Sequence, residues 1–439
     1  MYSLLKVFVK PLHRLFYHKI VVEGKENIPE GGVIFTPNHQ NALMDALAVI
    51  NTSGRNPYFL ARADIFRIAL YRALLTLLRT IPVYRKTDGT QSLDKNEEVF
   101  KKVSRLLAKN KSLVIFPEAG HNDKNRLQAL RKGFVRVGFK AEEFVAFKQD
   151  IYIVPVGIFY TDFTRFRSVL HVRYGKPVSL KSYKELFEKS PQKAYNVVKS
   201  TVAKRIIPMM LNIKNQEYYQ TFNRATQIYT ERLLPQLGIG NNTESNLFRS
   251  RQKVVYLLNL ILDRTPEQFR NIRLKLDDYF NELERLGYSH KSIGEGLNSK
   301  GRATHSVAFL VVSFPVFVYG FVHNILPYII PKAIAKKAGD VHFISTYKFS
   351  LGVVFFTVFY ALEIVGMSFL MSGELLALYG ISLPVTGWVA YSWNRMRKRV
   401  LNILRLRKAR RQQSGELYEM LRKHHEVIET LDEAVKPYF

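Results

Sequence analysis

The 439-residue chain contains no cysteine, which excludes a disulfide framework, a thiolate nucleophile and any Cys-ligated zinc or iron–sulfur site. Acidic residues are scarce: 36 Asp and Glu stand against 66 Lys and Arg, a formal net charge of +30. So one-sided a field implies an anionic partner, whether nucleic acid, acidic lipid headgroups or an acidic carrier protein. The N-terminus lacks the long apolar core and small-residue cleavage site of a signal peptide. Instead, Leu4, Leu5, Phe8, Leu12, Leu15 and Phe16 recur at helical spacing among Lys6, Lys10, Arg14 and Lys19. Residues 1–19 therefore read as an amphipathic helix suited to a membrane surface, with an ordinary surface helix as the alternative. Internal repeats and low-complexity tracts are also missing, and the sequon at Asn241-Asn242-Thr243 is assigned no role.

Nearly half of the residues are apolar (47%), enough for two or three cores. Between residues 20 and 180, β-branched runs alternate with helical patterns: IVVEG, GVIFTPN, YFLAR, SLVIFPE, IYIVPVGI and VLHVRYG. That alternation predicts an α/β domain. Residues 181–300 are polar and helical in period, with a start signal at Thr265-Pro266-Glu267 and a stop at Gly287. Three apolar segments follow, at 306–330, 350–371 and 375–393, each near the roughly 20 residues that a spanning helix needs. Pro315 and Pro327 interrupt the first, and only Ser372, Gly373 and Glu374 separate the second from the third, so a tight hairpin is expected there. Arg395 to Arg411 holds nine Lys or Arg residues, and Lys332, Lys336 and Lys337 are also basic. The positive-inside rule places both on the cytoplasmic face and favours two full spans, with segment one re-entrant or in-plane, over three. Residues 395–439 then form a basic cytoplasmic tail. Glu363, midway along segment two, is expected to pair with another segment.

The most informative string is Thr36-Pro37-Asn38-His39-Gln40-Asn41-Ala42-Leu43-Met44-Asp45, which follows a strand and opens a helical pattern. A hydroxyl that attacks a thioester must lose its proton, and an imidazole is a suitable base near neutral pH. A carboxylate beside it would fix its tautomer. On one continuous helix, residues six apart point about 120° away from each other, so the pair converges only if His39 precedes the helix. Phe116-Pro117-Glu118-Ala119-Gly120-His121 also follows a strand, at a turn that suits a phosphate or an oxyanion. Ile81-Pro82-Val83-Tyr84-Arg85 and Val154-Pro155-Val156 end two further extended pieces.

In order and residue type these four blocks resemble the glycerolipid acyltransferase family, which includes the glycerol-3-phosphate and lysophosphatidate acyltransferases; the resemblance covers residues 20–180. It implies a mixed-sheet domain with His39 as general base and Asp45 as its orienting partner, without an acyl-enzyme. It also makes Arg85 the first ligand of the acceptor phosphate and Arg62, in Arg62-Ala63-Asp64-Ile65-Phe66, the second. Glu118 and Gly120 would help to build the acceptor site, and Val154-Pro155-Val156 would line the acyl side. Five residues separate His39 from Asp45 where most members have four, a spacing associated with fungal-type glycerol-3-phosphate and dihydroxyacetone-phosphate enzymes. The family's usual Arg after the Glu is replaced by Ala119-Gly120-His121, so His121, Lys132 or Arg131 would substitute.

The whole-chain expectation is a membrane-bound acyltransferase of α/β class, with a helical region at 181–300 and transmembrane helices within 301–394. Acyl-CoA or acyl carrier protein would be the co-substrate, glycerol 3-phosphate the acceptor, and membrane lipids the surroundings, with no metal, redox cofactor or nucleic acid. One alternative acceptor is 1-acylglycerol 3-phosphate. A different class, a non-catalytic basic lipid-binding membrane protein, uses the charge alone.

Overall fold

The computed structural model describes residues 2–67, 72, 75–76, 78–84, 92–118, 120–121, 123–297, 302–337 and 339–439. The chain divides into two compact units, one made of residues 1–212 with 335–349 and the other of 213–334 with 350–439.

The first unit is built on an eight-stranded mixed sheet. Its strands are β1 (Lys19–Glu23), β2 (Gly32–Pro37), β3 (Tyr58–Arg62), β4 (Thr80–Val83), β5 (Ser112–Val114), β6 (Ile151–Tyr160), β7 (Val169–Tyr174) and β8 (Val178–Ser179). The spatial order is β1-β7-β6-β2-β5-β3-β4, and β8 also pairs with β6. Pairing is parallel from β6 through β2, β5 and β3 to β4, whereas β7 and β8 run antiparallel to β6. Every residue of β2 and β7 is buried, which explains why these strands read as unbroken β-branched runs rather than alternating ones.

Pro155 sits inside β6, where a missing N–H would normally break a ladder. Its carbonyl accepts from Gly175 N at 2.9 Å, so its nitrogen faces the gap between the β7 pairing, which starts at Val156, and the β8 pairing, which ends at Ile153. No ladder hydrogen bond is lost there.

Among the helices of this unit are α1 (Tyr2–Phe16), α2 (Ala42–Thr52), α3 (Ser92–Ala108), α4 (Gly133–Phe144), α5 (Lys184–Lys189) and α6 (Pro191–Ile206). One face of the sheet is covered by α3, α4 and α6, whose Val103, Leu107, Phe134, Val135, Val198, Val202 and Ile206 join Ile34 of β2 and Ile153 of β6 in one buried cluster. Gly157 on β6 lets the chain beyond α6 approach, since a Cβ there would lie 2.4 Å from that of Met209. The unit thus runs to Asn212 rather than stopping at 180: the helical period of 181–212 is real, but its apolar stripe belongs to the sheet. On α1, Val7 and Phe8 are exposed while Phe16 is buried against Phe166 and Phe349.

The second unit contains helices α7 (Tyr219–Leu233), α8 (Glu244–Arg264), α9 (Pro266–Arg285), α10 (His290–Leu297) and α11 (Arg302–Val312). Four more helices complete the chain: α12 (Phe314–Lys337), α13 (Ile344–Met367), α14 (Gly373–Arg411) and α15 (Gly415–Val435). As the start and stop signals predict, α9 opens at Pro266 and closes before Gly287, whose φ is +68°. Phe222, Tyr229, Phe248, Phe269, Tyr279, Met420 and Leu431 are buried on α7, α8, α9 and α15, and Tyr229 donates to Asp432 Oδ1 at 2.6 Å.

Among the described residues, three helices are long and apolar enough to cross a membrane: Phe314–Lys337, Val341–Met367 and Gly373–Arg411. The first apolar segment breaks at Ser313 and keeps Pro327 and Pro331 within α12. The third runs without interruption into the basic stretch, as one 39-residue helix. Asn324 ties three of these helices, donating to Gly320 O at 2.9 Å and Leu383 O at 3.2 Å and accepting from Tyr360 Oη at 2.6 Å. Gly320 and Gly387 permit that approach: added Cβ atoms would meet Thr386 O at 2.2 Å and the Asn324 amide at 2.4 Å.

Candidate active site

The parallel strands end on one side of the sheet, the position where open α/β sheets hold ligands. Here β2 leaves the sheet at Pro37 and the chain turns through Asn38, His39, Gln40 and Asn41 into α2. Asn38 fastens the turn to β6 twice: its Nδ2 donates to Ile158 O at 3.0 Å, and its Oδ1 accepts from Ile158 N at 2.7 Å. His39 thus precedes the helix and Asp45 lies in its first turn, the arrangement that convergence requires. Ala42 carries a φ of +39°, a left-handed value that costs a non-glycine residue about 1 kcal/mol.

Asp45 is fully buried and accepts four hydrogen bonds. Its Oδ2 receives Gln40 N at 2.8 Å, Asn41 N at 2.7 Å and His39 Nδ1 at 2.9 Å, and its Oδ1 receives Tyr160 Oη at 2.7 Å. Buried with acceptor oxygens only, and sited at a helix N-terminus, the carboxylate is well matched to its donors. The network assigns the proton to His39 Nδ1 and leaves the lone pair on Nε2, the tautomer needed for a base. The imidazole stacks on Phe116 at 3.8 Å and 17°.

Glu118 is 5% exposed and holds two segments together, accepting His39 N on Oε1 at 3.2 Å and Gln128 N on Oε2 at 3.2 Å. Burial pushes its carboxyl up to about 7; the Gln128 and His39 amides pull it back, and the nearby Asp45 charge adds to the rise. His121 lies 4.2 Å from His39, ring to ring. Burial, and after it the neighbouring His39 and His342, bring His121 down to about 4, so it is neutral at neutral pH.

The structure therefore gathers His39, Asp45, Glu118 and His121. Lys132 turns elsewhere, its Nζ donating to Gln192 Oε1 at 3.3 Å on α6. Among the described residues, nothing lies within 4 Å of a Cβ added at Gly120. The backbone of Arg62 closes β3 opposite Val83. Arg85 and Ala119 lie outside the described residues. Val154, Pro155 and Val156 lie within β6, opposite Phe35, Thr36 and Pro37. Among the described residues no group of three or more His, Asp or Glu is placed to hold a metal ion. Sequence reasoning missed Tyr160 and His342, which touch this site from positions 115 and 302 residues away from their partners.

Residues 19–159 match the family model described as Acyltransferase. Two relatives are similar over about a third of this chain. The chloroplastic 1-acyl-sn-glycerol-3-phosphate acyltransferase LPAT1 of Arabidopsis thaliana is 26% identical over 142 residues, 32% of this chain and 36% of its own. A 1-acyl-sn-glycerol-3-phosphate acyltransferase of Borreliella burgdorferi is 27% identical over 144 residues, 33% of this chain and 52% of its own. The chain thus spans about a third to a half of the length of these relatives. The crystal structure of the 1-acyl-sn-glycerophosphate (LPA) acyltransferase PlsC from Thermotoga maritima aligns with 46% of this chain and 80% of its own, at 18% identity and a TM-score of 0.34. The acyltransferase match ends before the helical region and the apolar helices begin.

Proposed function

We propose that this protein is a membrane-bound acyltransferase that moves a fatty acyl group from a thioester carrier to a glycerol phosphate hydroxyl, with 1-acylglycerol 3-phosphate as acceptor. The observation that carries this reading is the 2.9 Å contact of His39 Nδ1 with an Asp45 carboxylate fixed by two backbone amides, at the end of a central strand. His39 Nε2 takes the proton of the acceptor hydroxyl and the oxygen attacks the thioester carbonyl. The tetrahedral intermediate then expels the thiolate, which takes that proton back from the His39 imidazolium. No acyl-enzyme forms. Asp45 holds the tautomer and stabilises the imidazolium.

Acyl-CoA and acyl carrier protein are both anionic and both suit the net charge of +30. In this reading Arg85 binds the acceptor phosphate, with Arg62 second, while Glu118 keeps the His39 amide in place. The basic residues of α14 and Lys332, Lys336 and Lys337 favour a cytoplasmic active site by the positive-inside rule. The names of the two relatives favour the acylated acceptor. Glycerol 3-phosphate is a second reading, favoured by the five residues between His39 and Asp45.

The test is acyl transfer by the full chain in nanodiscs, from labelled palmitoyl-CoA or palmitoyl carrier protein, with the two acceptors offered separately and His39→Ala as control. Lysolipid turnover that vanishes in the variant is expected; turnover of glycerol 3-phosphate alone moves the protein to the first acylation step. No transfer to either acceptor from either carrier favours a lipid-binding protein, and a rate that survives His39→Ala contradicts the mechanism.

A further inference from the structure

The sheet unit includes residues 335–349, which lie beyond the acyltransferase match at 19–159. Asp340 opens a single turn at Val341–Phe343, its Oδ1 accepting His342 N at 2.9 Å. From that turn His342 Nδ1 reaches the Gln40 carbonyl at 2.9 Å. A carbonyl only accepts, so this nitrogen carries the proton. The peptide joining Gln40 to Asn41 is consequently held at both ends: its N–H, from Asn41, donates to Asp45 Oδ2 at 2.7 Å, and its C=O accepts from His342.

The same segment closes on the other parts of the site. The His342 ring stacks on His121 at 5.2 Å and 24°, and Phe343 meets His121 edge-on at 5.3 Å. Ser345 Oγ donates to Phe163 O at 2.6 Å, a carbonyl that also accepts Asn41 Nδ2 at 2.9 Å. Lys348 Nζ donates to Thr164 O at 2.8 Å.

We infer that His342 is a positioning residue for acyl transfer, holding the peptide that presents Asp45 to His39. The inference rests on the His39 reading proposed above. A peptide released at its carbonyl end can rotate, and the carboxylate and the imidazole lose their alignment together. Because the contact is to the backbone and not to a substrate, its loss lowers kcat more than it raises KM for the acceptor.

The experiment compares full-length wild type, H342A, H342N, H342Q and H39A in nanodiscs, measuring kcat, acceptor KM and the thermal unfolding midpoint. The Asn amide nitrogen sits where His Nδ1 does, whereas the Gln nitrogen lies one bond farther out. Expected are a fall in kcat of about tenfold or more in H342A and H342Q, an acceptor KM within about threefold of wild type, and recovery to within about threefold of wild type in H342N. If H342A does not fold, the contrast of H342N with H342Q carries the result, and equal rates for these two overturn the inference. It is also overturned if H342A keeps more than about half the wild-type kcat while H39A is inactive, an outcome that leaves the proposed function standing. A rate that survives in H39A overturns the proposed function and this inference with it.

Discussion

Two clusters in this protein are assembled from a histidine, a carboxylate and a tyrosine, and they differ in where the carboxylate finds its donors. In the sheet unit, Asp45 accepts His39 Nδ1, Tyr160 Oη and two main-chain amides, each at 2.7 to 2.9 Å. Among the apolar helices, Glu363 Oε2 meets His323 Nδ1 at 3.1 Å and Tyr379 Oη at 3.2 Å, both of them side chains from other helices. The turn before α2 has spare N–H groups to give, whereas within α13 the backbone amides are committed to the helix itself. Fixed donors hold Asp45 in one position, as a catalytic partner must be held. Contacts between side chains satisfy polar groups in apolar surroundings and join helices. The three residue types alone do not tell the two clusters apart; the local backbone does.

Asp45→Asn should break the first cluster most severely. The substituted amide offers one acceptor oxygen instead of two and presents N–H to neighbours that themselves donate. We expect kcat to fall by about 10³ to 10⁴ with the fold retained, read by acyl-transfer kinetics beside circular dichroism; a loss under about tenfold would remove Asp45 from the mechanism.

Glu118→Gln probes the buried carboxyl that holds the His39 amide. Its ordinary value of 4.5 rises to about 7 in the fold, so the folded chain binds the extra proton between those values and loses stability as pH climbs through that window. The sum is about 3 kcal/mol. His121, lowered to about 4 from 6.5, acts in the opposite sense and adds stability as pH rises from about 4 to 6.5. Unfolding midpoints measured from pH 4 to 8 should therefore show the variant gaining on wild type up to about pH 7, and parallel curves would contradict the assignment.

Tyr160→Phe removes one of the four donors to Asp45 and should lower kcat about fivefold, in keeping with a hydrogen bond of about 1 kcal/mol. Unchanged kinetics would show that Tyr160 only packs. Gly120→Ala is the smallest perturbation, because no atom of the described residues lies within 4 Å of an added Cβ there. Activity within about twofold of wild type is expected, and a large loss would reveal a substrate pressed against the Gly120 backbone.

Much of the sheet was legible because its central strands β2, β5 and β6, with β7, are buried and so appear as compact β-branched runs, and IVVEG, GVIFTPN, YFLAR, SLVIFPE, IYIVPVGI and VLHVRYG all contain strands. Their order was not, since pairing is decided by contacts far apart in sequence. Residues 181–212 show why a helical period alone does not assign a helix to a domain: Val198, Val202 and Ile206 form an ordinary apolar stripe, and only the core beside Ile34 tells where it belongs. Within the site, His39 and Asp45 could be paired because both lie at one strand-to-helix turn. Tyr160 gave only the faint signal of a polar tip at the end of a buried strand. His342 was marked by Asp340 capping a turn before an apolar run, a pattern that names a helix start and not the partner that it reaches.

The central claim is that the main-chain-anchored cluster performs chemistry and the helix cluster does not. The most direct test sets His39→Ala beside His323→Ala, full length in nanodiscs, with acyl transfer from palmitoyl-CoA or palmitoyl carrier protein to 1-acylglycerol 3-phosphate or glycerol 3-phosphate as the readout. We predict a loss of about 10³-fold or more for His39→Ala and a rate within about threefold of wild type for His323→Ala. Retained activity in His39→Ala, or an equal loss in a folded His323→Ala, would contradict it.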